Sequence, residues 1–226
     1  MTTQSENTKR IAKNTLILYV RMLFSMLVSL YTSRVVLNAL GVEDYGIYNI
    51  VGGFVAMFSL VSSSLSSSAS RFITFELGRG DHERLRKVFS TSLSTQITLC
   101  LIIFILLETI GLWFLNIHLT IPSERLVAAR YVFQFSVAAF MVGLLSVPYN
   151  ASIISHEHMN VYAYMGIADV LLRLCIVICI AYCPYITDRL IMYSFLLLLV
   201  GISLQVFYVW YCHKHFLECR SKIRFH

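Results

Sequence analysis

Apolar residues in this chain gather into long runs rather than into the alternation of a strand or the single stripe of a surface helix. The runs cover approximately residues 14–37, 46–70, 89–115, 126–148, 161–183 and 189–211. Short polar segments separate them: NALGVEDYG, ELGRGDHERLRK, NIHLTIPSER, SHEHMN and PYITDR. A helix needs roughly 20 mostly apolar residues to cross a bilayer, so each run predicts one transmembrane helix. The expectation is an all-α membrane protein, a six-transmembrane-helix bundle forming one lobe over residues 1–226. The connections are too short for a soluble domain, and no short-period repeat is present. The opening MTTQSENTKR is polar, and the apolar stretch from Ile11 to Leu37 carries no small-residue cleavage site, so it reads as a retained signal anchor.

Composition agrees: 58% of the residues are hydrophobic and only 13% charged, too little polar surface to coat a soluble globule. The net charge of +6 would admit nucleic acid, but its carriers sit at predicted helix ends and form no binding stripe. They set orientation instead. With the N-terminus inside, the inner segments hold eleven cations: Lys9, Arg10, Lys13, Arg79, Arg84, Arg86, Lys87, Lys214, Arg220, Lys222 and Arg224. The outer loops hold two, Arg125 and Arg189. Cationic residues in short loops resist translocation, so both termini of a multi-pass membrane protein are expected in the cytoplasm.

Five arginines remain in or beside the runs: Arg21, Arg34, Arg71, Arg130 and Arg173. A charge at a helix centre costs about 2.5–3.5 kcal/mol on insertion scales, so each calls for a partner, a wet cavity or an anionic ligand. Arg34, Arg71 and Arg130 lie near enough to an interface to snorkel; Arg21 lies about two turns into its helix, where snorkelling is strained. Guanidinium stays charged in low dielectric and binds phosphate bidentately, so a cavity holding several arginines suits a diphosphate head group. Asp169 and Arg173, at i and i+4, form either an intrahelical pair facing the bundle or a site where Asp169 exchanges a proton or a cation. Glu108 has no sequence-local partner and offers the same choice between a neutral bundle carboxyl and a coupling group. Ser59, Ser62, Ser63, Ser66 and Ser70 are expected on one inward side of the second span, for close packing or as a hydrophilic wall.

Other motifs exclude more than they promise. His156-Glu157-His158 lacks the HExxH spacing that puts two imidazoles on one helical face. Cys212, His213, His215 and Cys219 read as a basic interfacial helix end, and Cys175, Cys179 and Cys183 as packing, so no metal or cofactor is expected. The six cysteines fall mostly in or beside apolar segments, which argues against a disulfide framework. With no phosphate loop, nucleophile elbow or paired-carboxylate signature, no enzyme is expected.

The stretch from Asn14 through Arg71, with LYTSRVVLNALGVEDYGIYNIVGGFVAMFSLVSSSLSSSASRF, resembles the opening helices of polysaccharide biosynthesis proteins. These are the O-antigen and capsule flippases of the multidrug/oligosaccharidyl-lipid/polysaccharide (MOP) exporter superfamily. LG.EDYGIY is the most telling part; RFITFELGRGD, ETIGLWFLN and VPYNASIISHEHM extend the likeness over most of the chain. The resemblance implies an N-terminal lobe of a MOP/MATE-like exporter, N-in and C-in. It implies translocation of undecaprenyl-diphosphate-linked oligosaccharide for surface polysaccharide, with Arg21, Arg34 and Arg71 attracting the diphosphate and Glu108, Asp169 and Arg173 lining or coupling the cavity. Family members have twelve or more helices in two lobes, so the expected partners are the lipid-linked oligosaccharide, the lipid bilayer, and a second lobe or homodimer partner. Truncation near the lobe junction is the favoured account of the length, beside a fragment of a longer frame and a dimerising half-transporter. The competing functions are a multidrug cation antiporter lobe and a non-transporting membrane remnant or interaction subunit.

Overall fold

The computed structural model describes residues 2–117, 121–122, 124–182 and 188–220. Among them the chain is helical throughout: α1 (Thr2–Ala56), α2 (Ser59–Arg79), α3 (His82–Leu106), α4 (Leu112–Ile117), α5 (Leu126–Ser155), α6 (Met159–Tyr182) and α7 (Arg189–His215). A π-helical turn at Leu107–Gly111 joins α3 to α4, and a short 3-10 turn at Glu218–Arg220 follows α7. Five helices are long and apolar enough to cross a membrane. With their length and composition the protein is a multi-pass membrane bundle.

α1 is two arms, residues 2–40 and 42–56, that meet at Gly41, whose φ of 83° and ψ of 170° interrupt the helix. A side chain at that φ would be strained, which is why the turn between the arms takes glycine. Residues of both arms line one cavity, so the chain folds back there. The predicted run 46–70 is broken at Met57–Phe58, where hydrogen bonds shorten from i−4 toward i−3, and α2 carries on to Arg79. Here the periodicity hid a break because both sides are equally apolar. Pro148 does not end α5 as the run 126–148 implied: the helix continues to Ser155. A proline forfeits one backbone bond, and the burial of Ala151 and Ile153 beyond it holds the helix on course.

α5 runs through the middle of the bundle, packed on both arms' side by α1, and by α2, α3 and α7. One cluster, with Val51, Leu107, Val132, Phe133 and Leu190, fills one end; a second, with Ile73, Leu85, Phe89, Ile153 and Cys212, fills the end that carries the basic segment. The α2 serines are only partly inward: Ser59 and Ser63 are exposed, Ser66 and Ser70 half-buried, and Ala69 and Ile73 make the packed face. Serines recur on every side of α2, so their spacing does not fix its rotation. The side chain of Ser62 lies outside the described ones, as do Cys183, Lys222 and Arg224.

Both cations assigned to the outer loops are engaged. Arg125 reaches Asp44 and Asp188, each at 3.4 Å, and Arg189 donates to the Ala39 carbonyl at 3.1 Å. Asp44 also caps nothing else: its Oδ1 is buried without a partner. The pair of arginines thus ties the Gly41 turn to the starts of α5 and α7. At the opposite end, His156 Nε2 lies 2.6 Å from Glu218 Oε1, the His156 ring stacks on Phe216 at 4.1 Å, and His158 Nδ1 lies 2.8 Å from the Tyr211 hydroxyl. Burial pushes the Glu218 carboxyl up, but its bond with His156 and the nearby imidazoles outweigh this and hold it below the usual range. Burial, then the charges of His156 and His215, hold His158 below the ordinary imidazole value. The His156-Glu157-His158 turn therefore anchors the segment after α7.

Candidate functional site

The bundle forms a half-open cavity of about 420 Å³ bounded by α1, α5, α6 and α7. That size falls within the roughly 300–1,000 Å³ of small-molecule sites. α1 contributes to it twice: Arg21 from the first arm, and Tyr48, Gly52 and Val55 from the second. α6 brings Gly166, Asp169 and Arg173 to the wall on successive turns, and α5 and α7 add Ser136, Ser146, Asn150, Ser194 and Gln205.

Three of the six predicted site residues come together here: Arg21, Asp169 and Arg173. Arg173 Nε donates to Asp169 Oδ1 at 2.8 Å, so the i, i+4 pair forms. The Arg21 guanidinium lies over the Tyr162 ring, 4.2 Å from its centroid, and against the backbone of Gly166, where only a glycine leaves it room. No carboxylate lies within ion-pair distance of Arg21 among the described residues. Two guanidiniums thus face one carboxylate, and the cavity carries one net positive charge. Its walls also hold two unused acceptors, Asn150 Oδ1 and Gln205 Oε1, both buried without a hydrogen-bond partner. Buried orphans of this kind cost about 1–3 kcal/mol each unless a ligand or water meets them. An anion carrying hydroxyl groups satisfies the whole set.

The other three predicted residues lie elsewhere. Arg34 and Arg71 are exposed on the bundle surface, on α1 and α2. Glu108 sits in the π-helical turn, where Oε2 accepts from Gln134 Nε2 at 3.1 Å and Oε1 is buried without a partner. Single-turn π-bulges often mark functional positions, and this one packs on Phe133 and Phe54 through Gly111. Asn150 and Gln205 were not singled out from sequence: an amide inside an apolar run was the available signal. Among the described residues no cluster of histidine, cysteine, aspartate and glutamate has the grouping of a metal site.

No solved structure gives a significant match. The chain is similar to an uncharacterized membrane protein, EpsK, of Bacillus subtilis (strain 168), at 20% identity over 161 residues. That alignment covers 71% of this chain but 32% of EpsK, so the chain spans about a third of that relative's length. The profile of the family described as polysaccharide biosynthesis protein matches residues 11–226, from the first arm of α1 past the turn after α7. With nearly its whole length inside that match, the chain belongs to the polysaccharide biosynthesis protein family.

Proposed function

We propose that this bundle takes part in moving undecaprenyl-diphosphate-linked oligosaccharide from the cytoplasmic to the outer leaflet of a bacterial inner membrane, for O-antigen, capsule or a related surface polysaccharide. The observation that carries the reading is the cavity's balance of two arginines against one aspartate, set beside unpaired amide oxygens in a membrane bundle. Guanidinium matches phosphate, and the amide oxygens accept from sugar hydroxyls. Arg21, over Tyr162 and without a carboxylate partner, takes the diphosphate; Arg173, held by Asp169, supports it. Arg34 and Arg71 serve on the bundle surface, where a substrate or a second lobe approaches. Glu108, with one oxygen free in the π-turn, is the candidate for coupling to a proton or cation. The alternative of a cation antiporter asks the cavity to prefer a positive ligand, against its net charge.

The test is complementation. Surface-polysaccharide display is scored in a flippase-null strain expressing this chain alone, and with a second lobe supplied in trans. Rescue that Arg21→Ala removes at unchanged membrane expression is the expected result. Failure of both arrangements to rescue, or rescue indifferent to Arg21, would overturn the proposal.

A further inference from the structure

A second concavity, about 400 Å³, lies on the outside of the bundle between α2 and α3. Leu65, Ser68 and Phe72 of α2 form one wall; Lys87, Thr91 and Gln96 of α3 stand on the other. Phe72 is exposed along its lip and the Lys87 side chain is 61% exposed at its mouth, held only by an exposed i, i+4 pair with Glu83 at 2.9 Å. Gln96 is its deepest polar residue, only 2% exposed, and its Nε2 has no hydrogen-bond partner. The groove therefore presents, from mouth to floor, a cation, hydroxyls on an apolar wall, and one buried unsatisfied amide donor.

We propose that this groove seats one anionic glycerophospholipid from the surrounding bilayer. The order of groups along α3 matches the order along such a lipid. From Lys87 to Gln96 the helix rises about 13 Å; the Gln96 side chain leans back toward the level of Thr91 and Ser92, and the flexible Lys87 side chain, which now leans back to Glu83, swings inward from that exposed pair to meet the phosphate. A phosphate at Lys87 then puts the glycerol ester carbonyls within reach of the Gln96 amide, and the acyl chain runs along Leu65 and Phe72. The ester oxygen is the acceptor that the buried amide lacks. Lys87 belongs to a basic segment with Arg84 and Arg86, which adds the attraction of a polybasic stretch for anionic lipid. The site is separate from the arginine cavity, so it stands whether or not the bundle transports oligosaccharide.

The full chain, purified in a non-ionic detergent, is titrated with phosphatidylglycerol, its ether-linked counterpart and diacylglycerol, and retained lipid is read by native mass spectrometry. One phosphatidylglycerol is retained about fivefold more tightly than the ether lipid, which has no ester carbonyl. It exceeds diacylglycerol, which has no phosphate, by about two- to fivefold. Gln96→Leu abolishes the first preference alone and Lys87→Ala the second alone, and inorganic phosphate does not displace the lipid. Equal retention of all three lipids, preferences untouched by the substitutions, displacement by inorganic phosphate, or a second copy of the chain cross-linking through a cysteine at Thr95 in place of lipid would each overturn the assignment. Should Gln96→Leu fail to fold, Ser68→Leu at the exposed lip fills the groove and must lower retention of every lipid; unchanged retention counts against the site.

Discussion

Arg21 on α1 and Gly166 on α6 share one volume: a methyl group at position 166 would overlap the Arg21 guanidinium where it now lies. The overlap is with the tip of a flexible side chain, so relief comes from moving Arg21 and not α6. Gly166→Ala is accordingly expected to keep its fold while lowering transport about tenfold or more, the worth of a charge-assisted hydrogen bond to the diphosphate. The double variant with Arg21→Ala should be no worse than either alone, since both remove one contact. Additive losses in a complementation titre would show that Gly166 acts by another route.

Charge balance in the cavity predicts opposite effects for the two members of its ion pair. Asp169→Asn leaves two guanidiniums unopposed and should tighten binding of undecaprenyl diphosphate, whereas Arg173→Gln should weaken it, each by about tenfold. The side chains are 30% and 45% exposed, so losing the pair itself costs little stability, about 0–1 kcal/mol. Equilibrium binding to the purified variants decides; shifts of the same sign in both would refute the electrostatic account.

The floor of the π-turn leaves no room for growth. A Cβ at Gly111 would stand 2.5 Å from Phe133 Cζ and 3.2 Å from Phe54 Cε1, and Phe133 is itself 1% exposed. Gly111→Ala is expected to destabilise by about 1–3 kcal/mol through overpacking, read as a lowered thermal midpoint in detergent. A wild-type midpoint would mean that the rings repack freely.

At the end that carries the Gly41 turn, Asp44 is the buried partner of Arg125. Asp44→Ala strips the Gly41 turn of its tie to α5 while Arg125 keeps Asp188, so the expected cost is moderate, about 1–3 kcal/mol. Arg125→Ala, which orphans the Asp44 carboxylate and leaves Asp188 only its backbone bonds at the start of α7, should cost more. Denaturation of the two variants side by side checks the order.

Acid should loosen the segment after α7. Folding holds the His158 pKa below the ordinary 6.5, so its contribution is present above that value and is lost as pH falls through the lower folded one. Glu218, held below 4.5, contributes likewise but gives way only in stronger acid. The groups facing His158 are His156, itself on Glu218, with Tyr211 and His215. Hydrogen exchange, corrected for its intrinsic pH dependence, should show residues 156–158 and 216–220 losing protection between about pH 7 and 5, and His158→Gln should flatten that slope. A slope identical in the variant would assign it elsewhere.

The bilayer's length requirement made the spans readable, and the i, i+4 spacing made the Asp169–Arg173 pair readable, because both are local. Rotation was not. Arg34 and Arg71 were grouped with Arg21 on chemistry and on resemblance, yet both are exposed while Arg21 lines the cavity, since neither signal carries the rotation of a helix. Contacts across long separations were equally silent: nothing near Arg125 in the sequence points to Asp44 or Asp188. The same holds for Asn150 and Gln205, whose meaning depends on what the neighbouring helices fail to offer them. The end of α5 was hidden for a related reason: the helix runs past the apolar stretch and past Pro148 to Ser155, held by burial that only the fold supplies.

Gly41 makes the first two membrane passes a single hinged piece. The turn is one residue, with no slack between the arms, and the second arm is pinned through Asp44 to Arg125. Arg21 stands about 30 Å along the first arm from that pivot, so a tilt of a few degrees at Gly41 swings its guanidinium by an ångström or two while the end at the turn stays fixed. The guanidinium that lies over Tyr162 sits at the long end of a lever.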